Sequence, residues 1–180
     1  MKRIRSVAVF CGASNGISKE YLEIATNVGK KIAQRDIHLV YGGGKSGMMG
    51  AVASGCLDGG GKVTGVFPKV LEGLEPQHEG LTELINVLDM HTRKMTMFER
   101  SDAFIVLPGG FGTMDETFEV ITWKQLNTHT KPIVILNHSG YFDSWVHMTD
   151  HFIANGFASF KTRKLYEVVN EVDEIFHLIH

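Results

Sequence analysis

Cysteine is nearly missing from this 180-residue chain: only Cys11 and Cys56 occur, and they form no C-x-x-C pair. A disulfide scaffold is thereby excluded, and two reduced thiols in a cytoplasmic protein are predicted. Neither thiol lies in a motif that would pair it with a base, so a nucleophilic cysteine is disfavoured. Long apolar runs are absent too; no segment approaches the ~18 uninterrupted residues that a membrane span needs. The basic start Met1-Lys2-Arg3 is followed by an apolar run of only residues 7–11, too short for a secretory signal. A dominant charge is also lacking. At a net −2, the chain gives no electrostatic reason to expect nucleic acid or a membrane as partner. No linker, repeat or low-complexity segment breaks the sequence, so residues 1–180 are read as one domain.

What is present is an ordinary globular composition, 43% apolar and 21% charged. Short β-branched runs alternate with longer helical patterns. Strands are predicted at residues 7–11, 37–41, 62–67, 84–88, 103–107, 132–136 and 166–169. Pro68 is expected to close the third of them. Helices are predicted from Ser18 as cap, with Leu22, Ala25, Val28, Ile32 and Ala33 on one face, then from residue 47 to about 58. Further helices are expected at about 91–101, from near Thr113, at 142–155 and at 172–179. Residues 69–80 read as a polar, irregular stretch. Unbroken strand–helix alternation predicts an α/β fold, a Rossmann-like doubly wound parallel sheet flanked by helices on both faces. In such sheets, ligands sit beyond the carboxyl ends of the strands, where the strand order reverses.

Three glycine-rich loops follow strand ends: residues 12–16, 42–47 and 108–112. Together they could form a floor of backbone amides suited to a phosphate. Ser14 and Gly43 are the candidate phosphate-loop residues in the first two. Residues 42–47, Gly-Gly-Gly-Lys-Ser-Gly, match G-x-G-x-x-G between a strand and a helix. A dinucleotide site would want an acid at the end of the next strand, yet that strand ends Gly65-Val66-Phe67-Pro68. NAD is therefore disfavoured. An ATP-binding P-loop fails because its leading glycine position is Leu39. A tight turn that lets helix and sheet pack explains this loop equally well.

The third loop runs Pro108-Gly109-Gly110-Phe111-Gly112-Thr113-Met114-Asp115-Glu116. Its glycines let backbone approach a ligand, and Asp115 and Glu116 are expected in the first helical turn, where the macrodipole favours their charge. Thr113 and Glu116 also have capping-box spacing, in which Glu116 would only bond the Thr113 amide. Arg93 weighs against that plain reading. It shares a helix face with Met90 and Met97, and an arginine on an apolar stripe is costly unless a carboxylate or phosphate meets it. A structural ion pair remains the alternative. His91, His147 and His151 are the candidate metal ligands, but surface or packing roles suit them better, and no metal is expected.

These residues resemble the LONELY GUY family of cytokinin riboside 5′-monophosphate phosphoribohydrolases, often mislabelled lysine decarboxylase. The resemblance rests on Met90-His91-x-Arg93-Lys94 followed by the segment 108–116. Blocks at 10–14, 41–44, 47–50, 65–68, 119–123 and 131–132 extend it over nearly the whole chain. It implies Arg93 and Glu116 as the catalytic pair. It implies Lys94, Gly109, Gly110, Phe111, Gly112, Thr113, Met114, Asp115 and Thr122 as substrate-binding positions, with Glu75 as a further acidic contact. The sequence departs from the pattern around Glu75, where Leu74-Glu75-Pro76 replaces Arg-Glu-Ile, and at Lys45-Ser46.

The resemblance implies hydrolysis of the N-glycosidic bond of nucleoside 5′-monophosphates, such as isopentenyladenosine monophosphate or AMP. The products would be free base, in cytokinin biosynthesis, and ribose 5-phosphate. No cofactor is implied, and the assembly implied is a homodimer. Glu116 would stabilise the oxocarbenium-like sugar and orient water, with Arg93 holding it ionised. A pyridoxal phosphate decarboxylase is disfavoured, because no lysine sits in a recognisable cofactor setting. The remaining rival is a non-catalytic nucleotide- or phosphate-binding module on the same fold.

Overall fold

The computed structural model describes residues 3–179. Seven strands, β1 (Ser6–Phe10), β2 (His38–Tyr41), β3 (Val63–Pro68), β4 (Glu83–Val87), β5 (Ala103–Val106), β6 (Ile133–Leu136) and β7 (Glu167–Val169), form one sheet. Every pairing is parallel, in the order β4-β3-β2-β1-β5-β6-β7. Six α-helices join them: α1 (Glu20–Gln34), α2 (Gly47–Asp58), α3 (Met90–Glu99), α4 (Phe111–Gln125), α5 (Asp143–Ala154) and α6 (Val172–Leu178). Every predicted element is present, with ends within two residues of expectation.

The central strands are apolar because both their faces are covered. All four residues of β5 and of β6 are buried, as a parallel sheet between two helical layers requires. Side chains alternate between two cores. Val7, Val9, Ile105 and Leu136 face α1, α2 and α6; Ala8, Phe10, Phe104 and Val106 face α3, α4 and α5.

On the first face, α1 presents Ile24, Ala25, Val28 and Ile32 at helical spacing. It lies close against α2, because a Cβ on Gly29 would sit 2.1 Å from the Val52 carbonyl oxygen. The matching contact on Gly55 would be 2.3 Å from that of Thr26. Small residues at the crossing therefore set how near the helices approach.

Three local expectations need correction. Pro68 pairs with Val87 as the last residue of β3 instead of ending it from outside. Ser18 is not the cap of α1; that position is Lys19, and the Ser18 hydroxyl accepts the Glu20 amide just outside the helix, at 3.3 Å. Most consequential, α4 starts at Phe111 with Gly110 as its cap. Thr113 is thus inside the helix and cannot cap it. No Thr113–Glu116 capping box exists, and Asp115 and Glu116 fall in the second turn, beyond the strongest part of the dipole.

Candidate active site at the switch in strand order

The order of strands reverses between β1 and β5, the two parallel neighbours from which successive connections wind outward in opposite senses. Their carboxyl ends open a crevice that no connection covers. The loops leaving them are stitched together there. The Gly12 amide donates to the Pro108 carbonyl at 3.0 Å, and the Met49 amide to the Gly12 carbonyl at 3.2 Å. A cavity of about 520 Å³ lies above these loops, a volume suited to a nucleotide-sized ligand.

Arg93 and Glu116 both line this cavity, as do Ser14, Glu75, Gly109, Gly110, Gly112, Thr113 and Asp115. Lys94, Phe111, Met114, Thr122 and Gly43 lie outside the lining. Lys94 sits behind the site, its ammonium 3.1 Å from Asp115 and 3.2 Å from Glu119. Phe111 is 96% exposed, Met114 packs into the second core, and Thr122 is an exposed residue further along α4. Gly43 is held beneath the chain segment that follows β3, its carbonyl accepting the His78 amide at 3.0 Å.

Arg93 is buried, at 6% exposure. Helix α3 carries it into place, starting at Asp89, whose carboxylate accepts the Thr92 amide at 2.8 Å. Among the described residues, the guanidinium meets no carboxylate in an ion pair. Its Nη2 donates to the Gly42 carbonyl at 2.9 Å and its Nε to that of Val66 at 3.2 Å. Gly42 must be glycine for this: a Cβ there would lie 1.8 Å from Nη2. The arginine thereby ties the ends of β2 and β3 together while keeping its charge at the cavity wall.

Glu116 is half-buried on the second turn of α4. Burial pushes its carboxyl up to about 7 from the ordinary 4.5; Arg93 opposes this, Asp115 adds to it, Lys94 opposes, and Glu119 adds. The expectation that Arg93 holds Glu116 ionised is therefore corrected. Desolvation outweighs the nearby cation, and the group is poised to exchange a proton near neutral pH. Cys11 also lines the cavity, but burial, with Glu116 adding, raises its thiol far above the ordinary range. It stays protonated and is no nucleophile.

Helix α4, which carries Glu116, begins with three amides, those of Phe111, Gly112 and Thr113, that have no carbonyl four residues back within the helix. A Cβ on Gly110 or Gly112 would meet nothing within 4 Å, so backbone is bare there. Sequence reasoning missed several wall residues. Tyr21 and Tyr141 stand on this amide side; Met48, Met49, Leu71 and Met90 make the remaining walls apolar. Met48, Met49 and Met90 fall in blocks that carry the family resemblance, whereas no local pattern marks Tyr21, Leu71 or Tyr141, which only the tertiary fold brings to the cavity.

Comparison with known proteins follows the same lines. Residues 49–179 match the family described as "Possible lysine decarboxylase". Among curated proteins, the chain is 43% identical over 97% of its length to a probable cytokinin riboside 5′-monophosphate phosphoribohydrolase, LOGL9, of Oryza sativa subsp. japonica, covering 77% of that protein. It is 44% identical over 94% of its length to the cytokinin riboside 5′-monophosphate phosphoribohydrolase of Rhodococcoides fascians, covering 86% of it. Among solved structures, the molybdenum cofactor binding protein of Rippkaea orientalis superimposes with a TM-score of 0.74 at 18% identity, over 99% of this chain and 96% of that one. At that identity, the likeness concerns the fold alone.

Proposed function

The chain belongs to the family described as possible lysine decarboxylase, whose curated relatives here are phosphoribohydrolases, and from that membership and the cavity we propose that it hydrolyses the N-glycosidic bond of nucleoside 5′-monophosphates. One observation supports the reading most: a carboxyl group pushed up to about 7 shares a nucleotide-sized cavity with a buried guanidinium and a glycine-bared helix start. A binding module would have no use for such an acid beside a phosphate.

The chemistry follows from the placement. The 5′-phosphate rests on the amides at the start of α4, which fixes the ribose by a group remote from the reacting bond. The C1′–N bond breaks with its electron pair leaving on the base, and positive charge develops on the sugar. Ionised Glu116 stabilises that charge and takes a proton from the water whose oxygen bonds to C1′. The departing base gains a proton from solvent, Glu116 returns the one it took from water to solvent, and ribose 5-phosphate remains. Arg93 is the fixed cation of the site, limiting how far burial raises Glu116. Ser14 and Gly109 to Thr113 serve the phosphate, while Glu75 and the methionine wall face the rest of the ligand.

Pyridoxal phosphate chemistry, which the family's description would imply, does not fit these residues. A Schiff base needs a lysine at the cavity, none of the lining residues is lysine, and Lys94 is occupied by two carboxylates. The same reading makes the protein a cytoplasmic homodimer, supported by the apolar Met95, Phe111 and Leu126 left at the surface.

The deciding experiment incubates the protein with AMP, isopentenyladenosine monophosphate and adenosine, with free base followed by chromatography. Base release from the monophosphates and not from adenosine is expected. Tight binding of AMP with no base released would leave only a nucleotide-binding module.

A further inference from the structure

The geometry points to Tyr141 as a positioning residue that aims the phosphate-binding amides of the segment 109–113; this inference rests on the function proposed above. The Tyr141 hydroxyl donates to the Gly109 carbonyl at 2.8 Å, and the ring itself lines the cavity. Gly109 is a crowded point. A Cβ there would lie 2.1 Å from Thr113 Oγ1 and 2.8 Å from the Gly12 amide nitrogen, so the backbone alone must take the load. Its neighbour is fixed as well, with the Pro108 carbonyl accepting the Gly12 amide.

A peptide unit is planar and trans, so its carbonyl and the following amide point in opposite directions. Fixing the Gly109 oxygen toward Tyr141 therefore fixes the Gly110 amide away from it. Glycines at 109, 110 and 112 would otherwise leave this peptide free to rotate.

The residues around Tyr141 are arranged as a frame. The Asn137 side chain accepts the Phe142 amide at 2.6 Å and donates to Asp143 at 2.8 Å. Ser139 is held at φ 52°, a left-handed conformation unfavourable for serine. His138 meets Glu20 at 2.6 Å, anchoring the loop to the start of α1. The Tyr21 ring stands edge-on to Tyr141 at 5.7 Å, buttressing it from that helix. Tyr141 is the residue of this loop that lines the cavity, and the frame around it holds its hydroxyl in place.

The test is Tyr141→Phe, which keeps the ring and deletes the bond. In the free protein, the backbone order parameters of the Gly110 and Phe111 amides are expected to fall, with little change in the central strands. Affinity for AMP should fall about fivefold to tenfold, and that for adenosine less than twofold. KM for the monophosphate should rise more than kcat falls. Unchanged order parameters at residues 110–111, or equal losses for AMP and adenosine, would overturn the assignment. If AMP binds with this phosphate dependence but is never cleaved, the hydrolase reading falls and the role of Tyr141 stands.

Discussion

Two glycine-rich loops, at residues 42–47 and 109–112, look alike in sequence, and both lead into a helix, yet they are built for opposite ends. In the first, almost every group is taken. Gly42 makes room for Arg93, and its carbonyl accepts the guanidinium. The Gly44 carbonyl accepts the Tyr41 hydroxyl at 3.1 Å, and the Lys45 amide donates to Pro76 at 2.9 Å. A Cβ on Gly47 would run into Ala13. In the second loop, Gly110 and Gly112 face open space. Glycine thus serves packing along the first loop and at Gly109, but ligand access at Gly110 and Gly112, and only the neighbours tell which.

The sharpest way to break this contrast is Gly42→Ala. The methyl group must displace the buried guanidinium, so a loss of about 3 kcal/mol in stability is expected, together with loss of turnover. Chemical denaturation and base-release assays would show both. A stable, active Gly42→Ala protein would mean that the first loop is as open as the second.

Next in size is Glu116→Gln, expected to lower kcat/KM by about a hundredfold (about 2.7 kcal/mol) while leaving the fold intact. It carries a pH signature. The folded carboxyl titrates near 7 against an ordinary 4.5, so between these values the native state holds more protons than the unfolded one. Wild-type stability should therefore fall as pH rises through that window. The glutamine variant should melt higher at pH 8, by up to about 3 kcal/mol of stability, and match the wild type below pH 4.5. In the wild type, kcat/KM should rise with pH through about 7. A variant no more stable at pH 8 than the wild type would show that the carboxyl is not desolvated.

Gly112→Ala probes the open loop. With nothing for its methyl group to strike, it should keep or slightly raise stability, by up to about 0.5 kcal/mol, as alanine favours helix. KM for AMP should rise about fivefold as the methyl group intrudes on the phosphate. The smallest effect is expected for Lys45→Ala. This exposed side chain in the closed loop, despite its P-loop-like setting, should change stability by less than about 0.5 kcal/mol and kcat/KM by less than twofold.

Much of the scaffold was legible before any coordinates, because periodicity reports burial. The β5 run Ala-Phe-Ile-Val has no polar residue because helices cover both its faces, and such runs alternate with amphipathic segments. The start of α4 was misplaced by two residues because Thr113 is a good cap by type; nothing local shows that Gly110 already occupies that position. The odd placement of Arg93 on an apolar stripe was visible, but its partners were not. Carbonyls from β2 and β3 carry no side-chain signature, whereas a carboxylate was the natural guess. Tyr21 and Tyr141 were invisible for a similar reason. They come from two distant parts of the chain, and only the sheet order sets them side by side.

Arg93 bonds to backbone oxygens and not to the acid across from it. In the proposed reaction, Glu116 would therefore lose and regain its proton in every cycle without any bracing contact letting go. The electrical state of the pocket would alternate while its skeleton stands still, so resetting the acid after each turnover would require no structural rearrangement.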